Sequence, residues 1–381
     1  MTLSRRKTLA LLGGGTLAAA TGLFAYDITR PLQSALSPWT QAGRYSDPRM
    51  NAFSWAILAP NPHNQQPWML ELRGTSQAVL TVNQDKLLPH TDPFSRQITI
   101  GLGCFLELAR MAALAQGFEM RTDLFPEGES AAVLDGRPVA VCNFVAAKAH
   151  ADPLLAHVQA RRSLKEPYDT ARPVPQSTID ALAASLTAGT RFGATLETAE
   201  IAALRDLTTE ALLVELKTPR TFKESVDVFR IGRTEVDASP DGIDFTGPMF
   251  ETLHRSGLFT RETVLDTSST AYQQGLDAVT DNTQTAMGFI WLKTPSNTRR
   301  DQIAAGADWL RVNLAATGLG LAMQPLSQAL QEYAEMQALY TQIHKQLAPE
   351  GDTLQMFARI GYGPEVGPSP RWPVDAKVVN A

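Results

Sequence analysis

Five residues recur at one fixed separation: Gly103, Ala112, Ala113, Gly117 and Met120 are matched by Gly306, Ala315, Ala316, Gly320 and Met323. A spacing of 203 in a chain of 381 residues leaves room for two copies of one unit. Such a chain is either a fusion of two similar halves or a host to two unrelated alanine-rich helices, which often end in glycine. Length alone agrees with two ordinary domains or one large one. Hydrophobic residues make up 44% and charged residues 19%, enough for a core and too apolar for intrinsic disorder. A net charge of −5 argues against nucleic acid as a partner. Two cysteines, Cys104 and Cys142, exclude a disulfide scaffold and a zinc site of CxxC type.

The N-terminus carries Arg5-Arg6-Lys7 and then eighteen uncharged residues, Leu9 to Tyr26, before Asp27. A basic start followed by an apolar run is the layout of an export signal. The paired arginines after Ser4 resemble the twin-arginine type, which predicts a periplasmic protein and the twin-arginine export machinery as a partner. Ala18-Ala19-Ala20 offers small residues for cleavage, while eighteen uncharged residues also suit an uncleaved membrane anchor. No later stretch is expected to be long and apolar enough to cross a bilayer.

Residues 27–48 read as a polar connector, and Met50 to Leu58 as a short helix stopped at Pro60. Asn61 to Pro67 must be an irregular loop, and Met69–Leu72 and Val79–Val82 read as strands joined at Arg73-Gly74. A helix is expected from Gly103 to Gln116 and a strand from Val139 to Val145. Ser177 to Asp180 has the pattern of a capping box. Residues 218–300, rich in Thr, Ser, Asp and Gly, look like an insertion or lid. Trp309 to Ala316 reads as a helix, Met356 to Tyr362 as a late strand, and a Pro-rich tail follows.

Three segments carry residue types suited to chemistry. Ala59 to Trp68 holds three prolines with Asn64 and Gln66, a rigid loop that suits the edge of a planar heteroaromatic ring or serves as a plain structural turn. Arg161-Arg162-Ser163-Leu164-Lys165 can converge on a phosphate, or form a solvated basic helix end. Gly318-Leu319-Gly320 precedes Gln324-Pro325-Leu326, but the full GxGxxG spacing is missing, so a nucleotide loop is poorly supported. The five histidines outside the proline loop show no metal-ligand spacing, and no metal is expected. His63 reads more as loop packing than as a proton carrier.

Together these segments resemble the nitroreductase flavoprotein family. Its A-P-S-x-x-N-x-Q-P-W loop is matched from Ala59 to Trp68, with Asn61 where serine is usual. Its R-R-S-x-R/K segment is matched by Arg161, Arg162, Ser163 and Lys165, and its later glycine-proline stretch by Gly318, Gly320 and Pro325. The tail from Gly363 to Arg371 looks like the family's closing strand and terminal basic residue. The loop precedes the arginine motif here, and neither half has both. That order resembles the Acg-like branch, in which two units are fused and one flavin site survives.

The resemblance implies an α+β, nitroreductase-like fold of two fused halves, a pseudo-dimer with helices around mixed sheets. The halves would run over 49–150 and 151–375, the second with its insertion near 218–300. It implies FMN as cofactor, held at the phosphate and ring edge by Arg161, Arg162, Ser163, Lys165 and Arg371. Pro60, Asn61, Pro62 and Asn64 would approach the ring from the other half, and Gln324, Pro325 and Leu326 would line it. The chemistry is the flavin's two-electron transfer, with no protein nucleophile. The acceptor would be a nitroaromatic, quinone or similar small molecule, the electron donor stays unassigned, and the state expected is a monomer with internal pseudo-symmetry. The alternative is a flavin-binding or sequestering protein with little turnover.

Overall fold

The computed structural model describes residues 32, 34–130 and 132–379. The expectations for the export segment, residues 1–26, lie outside them. The polar connector is only partly one: α1 (Ser37–Gln41) falls inside it, with Trp39 buried, and α2 (Pro48–Ala56) begins at its end. Asp47 starts α2 by accepting the backbone N–H groups of Arg49 and Met50.

In the first half follow β1 (Trp68–Arg73), β2 (Gln77–Val82), α3 (Arg96–Ala115), β3 (Phe118–Leu124) and β4 (Ala140–Ala146). The second half holds α4 (Gln176–Ala183), β5 (Arg191–Thr195) and α5 (Thr198–Lys217). Next comes the insertion: α6 (Pro219–Asp227), β6 (Phe229–Ile231), α7 (Gly232–Ala238), β7 (Ile243–Phe245), α8 (Pro248–Arg255), α9 (Arg261–Leu265) and α10 (Thr270–Thr283). The half then resumes with β8 (Gly288–Thr294), α11 (Arg299–Gly318), β9 (Ala322–Pro325), α12 (Gln337–Leu347) and β10 (Thr353–Gly361).

The strand order repeats. One sheet runs β1-β2-β4-β3 and the other β5-β8-β10-β9, so each joins its first, second, fourth and third strands in sequence. In both, a 20-residue helix links the second strand to the third. Every pairing in the two sheets is antiparallel, and the parallel pairing is that of β6 with β7 in the insertion. The word "mixed" therefore applies to the chain as a whole and to neither main sheet.

The recurrence at 203 residues has a physical meaning. Gly103 of α3 and Gly306 of α11 face each other where the two helices cross: a Cβ on Gly306 would lie 2.0 Å from the Ile100 carbonyl oxygen, and one on Gly103 2.3 Å from that of Ile303. Only hydrogen fits. The same offset relates Arg96 to Arg299, the first residue of each helix, and both are buried. Each reaches into the opposite half. Arg96 donates to the carbonyls of Gln355 and Leu330 at 2.7 and 2.8 Å, and Arg299 to those of Ala132 and Ser130 at 2.6 and 3.3 Å.

By length and composition α3 could cross a membrane, contrary to expectation, but most of it is buried within the protein. It is the central helix of one core that spans both halves, where Trp68 stacks on Phe105 at 4.8 Å. The insertion has its own small core of Phe222, Val226, Phe229, Ile231, Val264 and Tyr272.

Three expectations need correction. The insertion ends before residue 288, because β8 is an inner strand paired with both β5 and β10. The expected capping box is absent: α4 begins at Gln176 behind Pro175, which has no side-chain hydrogen bond to give. Such boxes occur instead at Thr260 and Thr298. The tail is no closing strand either. Pro364, Pro368, Pro370 and Pro373 lack the N–H that a ladder requires, so it crosses the first half as irregular chain and ends in one parallel bridge, Leu70 to Val378.

Candidate functional site

The proline loop is built on unusual backbone. His63, Asn64 and Gln66 all take positive φ, at 46°, 52° and 49°. Local and tertiary hydrogen bonds hold them there. Asn61 Oδ1 accepts from the Gln66 N–H at 2.7 Å. The fully buried Gln66 gives its amide to the Pro240 carbonyl at 2.7 Å and accepts the Trp372 N–H at 2.9 Å. Lys377 donates to the Gln66 carbonyl at 2.8 Å, and burial lowers this ammonium to about 8. Asn64 is also committed: its amide donates to the Pro370 carbonyl at 3.0 Å, its Oδ1 accepts from Arg371, and its carbonyl accepts the Gly242 N–H at 3.1 Å. Beneath the loop, Gly101 of α3 lets Asn61 and Pro62 approach to within 3.1 Å of where a Cβ would sit.

Asp241 fastens the insertion to Lys86 and to Trp372 of the tail, whose own N–H is held by Gln66 of the loop. Its carboxylate accepts from Lys86 at 2.7 Å, Trp372 Nε1 at 2.9 Å, Arg230 at 2.6 Å and Ser239 at 3.0 Å. Burial pushes its pKa up, but the hydrogen bonds from Lys86 and Trp372, with the charges of Lys86 and Arg230, outweigh that and hold it at about 2. Asp241→Ala is expected to destabilise the protein by about 3 kcal/mol, because Lys86 and Arg230 lose their shared counter-charge. Denaturant melts at neutral pH check this. A carboxylate depressed from 3.8 to about 2 stabilises the fold fully above pH 3.8 and loses that contribution as pH falls through about 2. The gap between variant and wild type should therefore close in acid. A gap that does not vary between pH 5 and 2 would contradict the ion-pair account.

The arginine motif and the tail meet at the same loop. Arg161 donates to the Leu58 carbonyl at 3.1 Å and Arg371 to the next carbonyl, Ala59, at 3.4 Å, so the two guanidiniums lie side by side. Both are buried, and the Nε of each has no hydrogen-bond partner among the described residues. Neither has a carboxylate within ion-pair distance among those residues, although Arg96, Arg230 and Arg311 each do. Burial lowers Arg161 to about 10; burial and the Arg161 charge lower Arg371 to about 9. Two like charges held dry without a counter-ion are the arrangement that an anion can neutralise.

Next along the motif, Leu164 is buried with its N–H on the Met323 carbonyl at 2.9 Å, which turns Ser163 and Lys165 to the open side. The Ser163 hydroxyl and Lys165 ammonium make no hydrogen bond among the described residues. Lys165 is open to solvent yet ringed by protein. Desolvation lowers its pKa, and Asp244 of the insertion pulls it back up. His63 faces the same space: burial, then the Lys165 charge, lowers it to about 4, and its Nδ1 has no partner. Arg162 points elsewhere, donating to the carbonyls of Gln159 and Val366 and lying 5.0 Å over the Trp39 ring.

The third segment lies on β9 opposite β10. Gln324 accepts from Arg359 Nε at 2.6 Å, Pro325 pairs with Ala358, and Leu326 is buried with its N–H on the Phe357 carbonyl at 2.9 Å. Arg359 was not legible as a site residue. It is wholly buried, lies 3.9 Å over the Tyr168 ring and donates to the Glu166 carbonyl at 2.8 Å, so it joins the strand to the arginine motif. Its signal in the sequence was a lone charge in the apolar run Met356 to Tyr362. Asp244, Asp241 and Asn313 of α11, whose Oδ1 accepts from Arg161 at 3.5 Å, were missed as well, because their relevance depends on what the fold sets beside them.

The structure thus brings Arg161, Ser163, Lys165 and Arg371 to one place beside the loop at Pro60–Asn64, and commits Arg162, Asn64 and Gln324 to protein contacts. No group of three metal-ligating side chains occurs among the described residues. Both thiols are buried, and burial pushes each up to about 12, which leaves them unreactive.

No protein-family model and no curated protein matches the chain. Among solved structures, it is similar to a putative nitroreductase from Anabaena variabilis at 10% identity, over 88% of this chain and 93% of that one, with a TM-score of 0.45. It is similar to the FMN- and NADPH-dependent nitroreductase NfnB from a Sphingopyxis strain at 15% identity, over 59% of this chain and 97% of that one, with a TM-score of 0.38. The FMN-dependent nitroreductase NfnB from Mycobacterium smegmatis, in complex with NADPH, is 20% identical over 57% of this chain and 92% of that one, with a TM-score of 0.32.

Proposed function

We propose that the chain is an exported, FMN-dependent oxidoreductase of nitroreductase type with one cofactor site between its halves. One observation carries this reading: the buried, unneutralised pair Arg161 and Arg371 beside the open Ser163 hydroxyl and Lys165 ammonium. A phosphate monoester supplies the charge and acceptor oxygens that this cluster lacks. The site residues therefore fit FMN, which would bring two-electron transfer to a small acceptor. Arg161, Ser163 and Arg371 would bind the phosphate, Lys165 would stabilise negative charge at the ring edge, and the pinned loop would fix the ring's plane. His63, kept neutral at pH 7 by its surroundings, adds no charge there. The export part rests on Arg5-Arg6 and the uncharged run that follows them.

A second reading, flavin storage with little turnover, draws on the insertion. It is bolted to the loop through Pro240 and Gly242, and to Lys86 through Asp241, which leaves that side of the site covered. One purification separates the readings. The protein should carry one FMN per chain, measured as released flavin against protein, and NADPH or a quinol should bleach it, with colour restored by a nitroaromatic or quinone. Two flavins per chain would contradict the single site, no flavin would overturn both readings, and bound FMN that no donor reduces would favour storage.

A further inference from the structure

One acidic side chain shares the space assigned to the phosphate. Asp244 lies on β7, where its register sets it opposite Arg230. Two residues earlier, Gly242 donates to the Asn64 carbonyl at 3.1 Å, and the same Asn64 accepts from Arg371 through its side chain. Asp241, one residue before Gly242, is fixed by four hydrogen bonds. A clamped segment rather than a swinging loop therefore delivers Asp244. Its charge acts on both Lys165 and Arg371, yet it forms no ion pair and no side-chain hydrogen bond among the described residues.

We propose that Asp244 competes with the phosphate of the bound ligand for Lys165 and Arg371, so that a phosphorylated flavin enters together with one proton taken up at this carboxylate. The inference rests on the functional reading above. Burial already raises Asp244, against the charge of Lys165, the residue's own backbone N–H and the charge of Arg371, which hold it down. A phosphate dianion set against the same two cations satisfies them itself and repels the carboxylate, so the carboxylate takes a proton from solvent. No electron moves, and the charge brought in by the phosphate is partly offset by that proton. The other charged groups on this side are Arg161 and Arg371, lowered to about 10 and about 9 and so cationic at pH 7.5, His63, lowered to about 4, Lys165, which burial lowers and Asp244 raises, and Arg230, opposite Asp244 on β6. Binding linked to one proton weakens at most about tenfold per pH unit as pH rises. The phosphate's own second ionisation, near 6, works in the opposite direction and is complete above pH 7.

Calorimetric titration of the flavin-free full chain with FMN at pH 7.5, in two buffers of different ionisation heat, counts the protons. Wild type should take up close to one proton. Asp244→Asn should take up almost none and bind FMN at least about tenfold more tightly, with its pH dependence flattened. Asp244→Glu, which keeps the carboxylate, should retain the uptake and shows that the readout does not reflect damage to the fold. Riboflavin, which lacks the phosphate, should bind all three forms without proton uptake. An unchanged proton count in Asp244→Asn, or weaker FMN binding by it, overturns the inference and leaves the functional reading standing. Failure of folded wild type to bind FMN overturns both.

Discussion

Gly306→Ala is expected to destabilise the protein by about 3 kcal/mol, although alanine is the better helix former. Propensity alone favours the substitution by about 1 kcal/mol. The added methyl, however, would lie 2.0 Å from the Ile100 carbonyl oxygen and 2.8 Å from the Gly103 Cα, both backbone atoms that no rotamer change can move. Either α3 and α11 part or both bend, and overpacking of that kind outweighs the propensity gain. Gly275 supplies the control, since it lies within α10 and a Cβ there meets nothing within 4 Å. Gly275→Ala should stabilise by about 1 kcal/mol. Urea midpoints for the two variants should move in opposite directions, and a shift of the same sign in both would refute the close crossing.

Arg161→Ala should weaken FMN binding by about one to two decades, the equivalent of roughly 1.5–3 kcal/mol for a charge-assisted contact. Arg172→Ala removes the same charge but should do far less. Arg172 is exposed and stacks 3.4 Å over the Tyr362 ring, outside the cluster at Leu58 and Ala59. Its residual effect should fade with salt, because a distant exposed charge is screened. Riboflavin should hardly distinguish Arg161→Ala from wild type. Equal losses from both variants, or an equal loss of riboflavin affinity, would mean that the phosphate does not sit at this arginine.

The parts of the fold legible in the sequence were those whose pattern serves local structure. β1 and β2 carry the apolar residues of a sheet core, and α3 carries the long apolar stretch of a central helix. The repeat was legible because a side chain is sterically forbidden at both Gly103 and Gly306. β8 was lost in a polar neighbourhood, though its own residues from Gly288 to Leu292 are buried. β3 was not anticipated, because of its seven residues only Met120 is buried. At the site, Arg161 and Lys165 could be placed from the motif order. That Asn64 and Gln66 spend their amides on the tail and the insertion could not, since their partners lie more than 170 residues away.

Arg96 and Arg299 each end in carbonyls of the opposite half, and the loop at Asn64 meets Arg161 and Arg371 from far along the same chain. Joining the halves covalently makes their encounter intramolecular, at an effective concentration set by the chain and not by how much protein is present. In a two-subunit arrangement, dilution would pull the half-sites apart and release whatever they hold between them. For the site proposed between these halves, occupancy would depend on ligand concentration alone. The same linkage frees the two halves from mirroring each other, so an insertion such as α6 to α10 can grow on one side of the molecule and leave the other unchanged.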